Sequence, residues 1–149
     1  MKDLKEFLTA QGFARVKLKK INTDHVEIRA KLNGVKGRFI LDTGASKTCI
    51  AIDDKELFGL STESSNHKAS GAGPTELETL LSKENKLEIG KFRLSVKDLI
   101  LIDLQHINKA LTQQGAEAVQ GIIGADVLHQ GEAIIDYGKK YLFLKMRKK

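Results

Sequence analysis

The chain has 149 residues, 41% of them hydrophobic, with a net charge of +6 and a pI of about 9.4. That length suits one core and is too short for two ordinary ones, so a single domain over residues 1–149 is expected. With no Trp, six Phe and two Tyr the core must be largely aliphatic; no apolar stretch reaches membrane-spanning length or forms a signal-peptide centre, so a cytoplasmic chain with no membrane partner is expected.

In chain order, Leu4, Phe7 and Leu8 fall at helical spacing and Gly12 is placed to end that helix, an amphipathic extension over residues 1–12. Phe13 to Leu18 reads as a first strand. Val26, Ile28, Ala30 and Leu32 then alternate with polar residues up to Asn33-Gly34, the strongest short signal for a type I′ hairpin. Val35 to Leu41 returns. Thr48 to Ile52 reads as a further strand that buries Cys49, and Asp53 to Leu57 as a helical turn capped by Asp53 or Asp54.

Residues 61–81 are polar and glycine-rich at first, with Leu77, Thr79 and Leu81 alternating at the end, which favours a hairpin over a disordered loop. Leu87 and Ile89, Gly90-Lys91, then Phe92, Leu94 and Val96 form another tight hairpin, and the run to Ile102 is nearly continuous in apolar residues. Asp103 to Gln113 reads as a helix ending at Gly115, Ala118 to Ile123 as a strand, and Asp126 to Gln130 as a short helix. Ala133 to Ile135 and Tyr141 to Leu144 make a last hairpin across Gly138-Lys139. Many short strands with two or three short helices indicate an all-β fold, a closed or partly closed β-barrel.

The lone Cys49 makes no internal disulfide and reads as a small hydrophobe. Lys and Arg are spread through alternating strands, where they read as solvated faces. The one basic cluster, residues 145–149, reads as a solubilising terminus, so no nucleic-acid partner is expected. His25, His67, His106 and His129 lack ligand spacing and no phosphate-binding glycine motif is present, so neither metal nor cofactor is expected.

One stretch stands apart. Arg38-Phe39-Ile40-Leu41 reads as the end of a buried strand that delivers Asp42, Thr43, Gly44, Ala45 and Ser46 into a turn. A carboxylate at the edge of an apolar core needs a partner, a hydrogen-bond shell or a task. Gly44 offers a turn with positive φ and close approach of another backbone, and Thr43 a hydroxyl to tie the loop.

Leu41-Asp42-Thr43-Gly44-Ala45-Ser46 resembles the active-site loop of aspartic proteases, most of all the retroviral-like, retropepsin branch. Gly121-Ile122-Ile123-Gly124-Ala125-Asp126-Val127-Leu128 resembles the segment that follows in that family, and Ser70-Gly71-Ala72-Gly73-Pro74 its flap tip. The resemblance spans roughly residues 25 to 145. It implies the acid-protease barrel, with residues 61–81 as the flap, Asp42 as the catalytic acid and Thr43, Gly44, Ala45 and Ser46 as support. By the same resemblance Thr43 ties two loops across a two-fold axis, and Ser70, Gly71, Ala72 and Ile123 meet a polypeptide substrate.

Hydrolysis by carboxylates needs two of them around one water, and the chain holds one Asp-Thr-Gly. The implied enzyme is therefore a homodimeric endopeptidase; the alternative is a catalytically silent peptide-binding or dimerisation module on the same fold. Asp126 is expected to face away and bond its own helix or loop. Ala125 stands where many relatives carry an arginine, so that residue's salt bridge to the dimer interface is absent. Ala45 offers the acid pair no hydroxyl, and a weakly acidic optimum is expected.

Overall fold

The computed structural model describes residues 3–64 and 79–147. Helix α1 (Leu4–Ala10) starts at Asp3, whose side chain accepts the Glu6 N–H at 2.8 Å, and buries Leu8. It stops where Gly12 turns left-handed at φ 89°. Strands β1 (Phe13–Lys17) and β2 (Lys19–Lys20) lead into β3 (Val26–Leu32) and β4 (Val35–Leu41). Asn33 and Gly34 both take positive φ, the type I′ turn expected of them, and close the register at Leu32 opposite Val35.

Then follow β5 (Cys49–Ala51), β6 (Glu63–Ser64), β7 (Leu80–Ile89), β8 (Phe92–Ile102), α2 (Gln105–Gln113), β9 (Gly121–Ile123), α3 (Ala125–Gln130), β10 (Ile134–Asp136) and β11 (Tyr141–Lys145). Strands β3, β4, β9, β5, β8 and β7 are neighbours in that order, and β7 returns to pair with β3, which closes a six-stranded barrel. The pairs β4–β9 and β5–β8 are parallel; the others are antiparallel. A separate sheet, β1-β11-β10, packs outside. No helix among the described residues is long and apolar enough to cross a membrane.

The core is aliphatic with a few phenylalanines: Phe39, Phe58, Ile89, Phe92 and Leu142 are among its fully buried members. A smaller cluster of Ile40, Leu111 and Val119 lies under α2.

Four expectations are corrected. Asp53 and Asp54 sit inside the 3-10 turn Ile52–Asp54 and neither caps it. Residues 118–120 do not extend β9; Val119 is bonded instead by the Asn108 amide on α2, with its N–H to Oδ1 at 2.8 Å and its C=O to Nδ2 at 3.0 Å. Cys49 is half-buried, between buried Thr48 and buried Ile50. The basic terminus is not simply solvated: Lys145 pairs with Phe13 in the sheet, Met146 N–H reaches the Gly12 carbonyl at 3.0 Å, and Arg147 contacts Gln130.

Candidate active site

Strand β4 runs parallel to β9, with Leu41 opposite Ile123, so both strands deliver their following residues to one end of the barrel. The first residue past β4 is Asp42. Its N–H donates to the Ile123 carbonyl at 2.9 Å. Its Oδ1 accepts the Gly44 N–H at 2.9 Å, and its carbonyl accepts the Ala45 N–H at 3.2 Å. Asp42, Thr43, Gly44 and Ser46 are exposed and Ala45 is half-buried. Among the described residues no cation lies within ion-pair distance of Asp42. The carboxylate is thus fixed by its own turn and aimed outward.

Gly44 does not take the left-handed conformation expected of it. Its role is proximity: an added Cβ would stand 3.3 Å from Asp42 Oδ1. The need for glycine is sharper in the second segment. A Cβ at Gly124 would meet the Ala45 and Lys47 carbonyl oxygens at 2.6 and 2.9 Å, and one at Gly121 the Cys49 carbonyl at 2.5 Å. The two segments press backbone against backbone, joined also by Ala125 N–H to the Ala45 carbonyl at 2.7 Å.

Thr48 and Asp126 complete the junction. The Thr48 N–H and hydroxyl donate to Asp126 Oδ2 and Oδ1 at 3.1 and 2.7 Å, and the same hydroxyl accepts the Gly124 N–H at 3.0 Å. Asp126 Oδ1 also accepts the Val127 N–H at 2.8 Å. The expectation for Asp126 is therefore corrected: it bonds its own helix, but its main partner is the loop that carries Asp42. Thr48, 1% exposed, went unread as a site residue; the available signal was a hydroxyl in the one stretch where a barrel strand should begin with apolar residues.

Ile123 is also corrected. Its side chain is 0% exposed and belongs to the core, so in this chain it serves the site through its carbonyl. Ser70, Gly71 and Ala72 lie outside the described residues. The arms leading to them are paired, Glu63 with Leu81 and Ser64 with Leu80, antiparallel. Cys49 stands beside the junction, its thiol 3.4 Å from the Lys47 carbonyl. Burial, then the carboxylates of Asp126 and Asp42, push that thiol up to about 11. No group of three or more His, Cys, Asp or Glu among the described residues is arranged to hold a metal.

A family model described as aspartyl protease matches residues 28–127, which include both segments of this junction. The chain belongs to the aspartyl protease family. Solved structures show the retropepsin fold. A retropepsin-like aspartic protease from Rickettsia conorii is similar with a TM-score of 0.59 and 17% identity, over 90% of this chain and 92% of that one. The protease of EIAV, in an inhibitor complex, has a TM-score of 0.56 and 14% identity, over 74% of this chain and 90% of that one. The retroviral protease-like domain of Ddi1 from Leishmania major has 0.53 and 16%, over 82% and 93%. No curated protein matches the chain. In this member of the family the acid of the motif is held by the first segment, and the second segment holds the first.

Proposed function

We propose that this aspartyl protease is an endopeptidase active as a homodimer, residues 1–149 forming one domain of each subunit. The observation that carries the proposal is the placement of Asp42. Its backbone is tied to β9 and one carboxylate oxygen to its own turn, while the exposed side chain has no countercharge among the described residues. Such an acid is poised to meet its copy across a two-fold axis, where one surface patch meets itself.

Two carboxylates about 3 Å apart cannot both ionise, so the pair would hold one proton, as in the aspartic-protease dyad that is the standard example. The ionised member takes a proton from water as its oxygen attacks the peptide carbonyl, which the protonated member polarises. The proton then passes to the leaving nitrogen as the C–N bond breaks. The two titrations belong to the pair and not to either acid. Thr43 and Gly44 support this arrangement at the axis, and an extended polypeptide is the substrate.

Mixing subunits tests the reading. Asp42→Asn should lower peptide cleavage by at least about a hundredfold and leave the dimer intact in sedimentation. Titrated into wild-type protein, the variant should reduce activity with the square of the wild-type fraction. A linear decline would mean that each chain works alone, and dimers with no cleavage of any peptide in a diverse library would leave a silent peptide-binding module. The pH–rate profile should peak in the weakly acidic range; a peak near pH 2 would contradict the proposed role of Ala45.

A further inference from the structure

On the outer face of the β3–β4 hairpin the type I′ turn sets Lys31 opposite Lys36 and Arg29 opposite Arg38. Like charges directly opposite on adjacent strands repel, so this block of four cations opposes the hairpin that carries it. The block lines a cleft of about 590 Å³, walled by Val16, Glu88 and Gly90 on one side and Gln120 on the other.

The inner pair is answered within the chain. Glu27, 4% exposed, lies 3.3 Å from Arg38 Nε and 3.8 Å from Arg29 Nε, and Glu117 lies 2.5 Å from Arg38 Nη2. The Arg38–Glu27 contact is an ion pair without hydrogen-bond alignment, since Arg38 Nε is buried with no acceptor in line. The outer pair is not answered. Both lysines are exposed, and among the described residues no carboxylate lies within ion-pair distance of either, although Glu88 is opposite Lys31 in the β3–β7 ladder.

A second feature opens into the same cleft. Because Leu32 and Val35 close the turn, even-numbered residues of β3 turn their backbone toward β4 and odd-numbered ones away from it; accordingly Asn33 N–H reaches the Lys86 carbonyl, on the β7 side, at 2.8 Å. Arg29 therefore directs its N–H and C=O away from β4. On that side β2 pairs only as far as Glu27 and β7 begins only at Lys31. Between them Arg29 has no ladder partner among the described residues, and the barrel seam parts there.

We propose that this cleft binds an acidic polypeptide segment in extended form. Its carboxylates meet Lys31, Lys36 and Arg29, and its backbone adds to β3 at Arg29, as strands add to an open sheet edge. The unpaired backbone favours a polypeptide over a nucleic acid, which offers no such ladder. The site is distant in role from Asp42 and does not depend on cleavage.

The probe is a fluorescein-labelled octapeptide alternating Glu and Val, followed by anisotropy at low and at physiological salt. It should bind wild-type and Asp42→Asn protein alike, and more weakly at higher salt. Lys36→Glu should weaken it by about fivefold, the scale of one surface charge contact, while thermal unfolding shows a fold at least as stable, because the exchange turns a repelling cross-strand pair into an attracting one. N-methylation of alternate peptide amides should abolish binding. The proposal is overturned if the peptide does not bind, if Lys36→Glu binds it equally, or if a dT oligonucleotide binds as well and N-methylation has no effect.

Discussion

Strand β4 passes through two surface features built in opposite ways. At Arg38 it lines a charged cleft, where long side chains stand apart and the Arg29 backbone beside them has no ladder partner among the described residues. Four residues on, at Asp42, it enters a junction of main chain against main chain, where glycines let carbonyl oxygens approach within distances that no side chain allows. The junction is specified by volume and hydrogen bonding, the cleft by charge. Substitutions should therefore cost much at the first and little at the second, and they should differ in what they disturb.

Gly124→Ala should have the largest effect. The added methyl has two backbone oxygens in its way, and neither can move without separating the Asp42 loop from α3. The expected loss is about 3 kcal/mol of stability, read as a lowered denaturation midpoint, and any peptidase activity should fall with it. A variant as stable as wild type would show that the close approach is not needed.

Thr48→Val follows. It keeps the shape but leaves Asp126 Oδ1 short of one donor and the Gly124 N–H without its acceptor, at a cost of about 2 kcal/mol. Thr48→Ser keeps the hydroxyl and should recover most of that loss. If Ser and Val behaved alike in chemical denaturation, the hydroxyl would not be what joins the two segments.

Cys49 reads the same junction by a milder route. Its thiol is raised from an ordinary 9.0 to about 11 by burial and by Asp126 and Asp42. At pH 8 its thiolate fraction, and so its alkylation by iodoacetamide, should be about a hundredfold lower than for an unperturbed thiol. The sign for stability follows: a raised folded value favours the neutral form, so its contribution is complete below about pH 9 and is lost as pH rises toward 11. Cys49→Ser should flatten that alkaline decline, and an unchanged decline would assign it to other groups.

Much of this architecture was legible because it is local. The alternation from Val26 to Leu32 and the Asn33-Gly34 turn specify a hairpin and its register in a dozen residues, and the Asp42 loop announces itself by an acid where an apolar strand ends. The run of short strands indicated a closed or partly closed barrel, but which strands pair was not legible, because β4–β9, β5–β8 and the closing pair β3–β7 join residues far apart in the chain. For the same reason Asp126 was assigned a local partner: nothing in its neighbourhood points across 78 residues to Thr48. The role expected of Ile123 came from the resemblance, which names a position in the motif and not the burial of its side chain in this barrel. The cation block is a different case. Arg29, Lys31, Lys36 and Arg38 look scattered along the chain, yet the two-residue turn already places them opposite one another.

Lys36→Glu should give the smallest change in stability, and its sign separates the two regions. At the junction any substitution removes something the fold uses. In the cleft, Lys36 faces Lys31 across the hairpin with no countercharge among the described residues, so the exchange should raise stability by about 0.5 kcal/mol, an effect that shrinks in high salt. Lys31→Glu is the control: it too would face an opposite charge at Lys36, but it would add a carboxylate beside Glu88, and its gain should be smaller. Paired melting curves at low and high salt measure both. A loss of stability for Lys36→Glu would show that the lysine pair is held by something other than its own repulsion, and the contrast between a junction fixed by volume and a cleft shaped by charge would fail at the cleft.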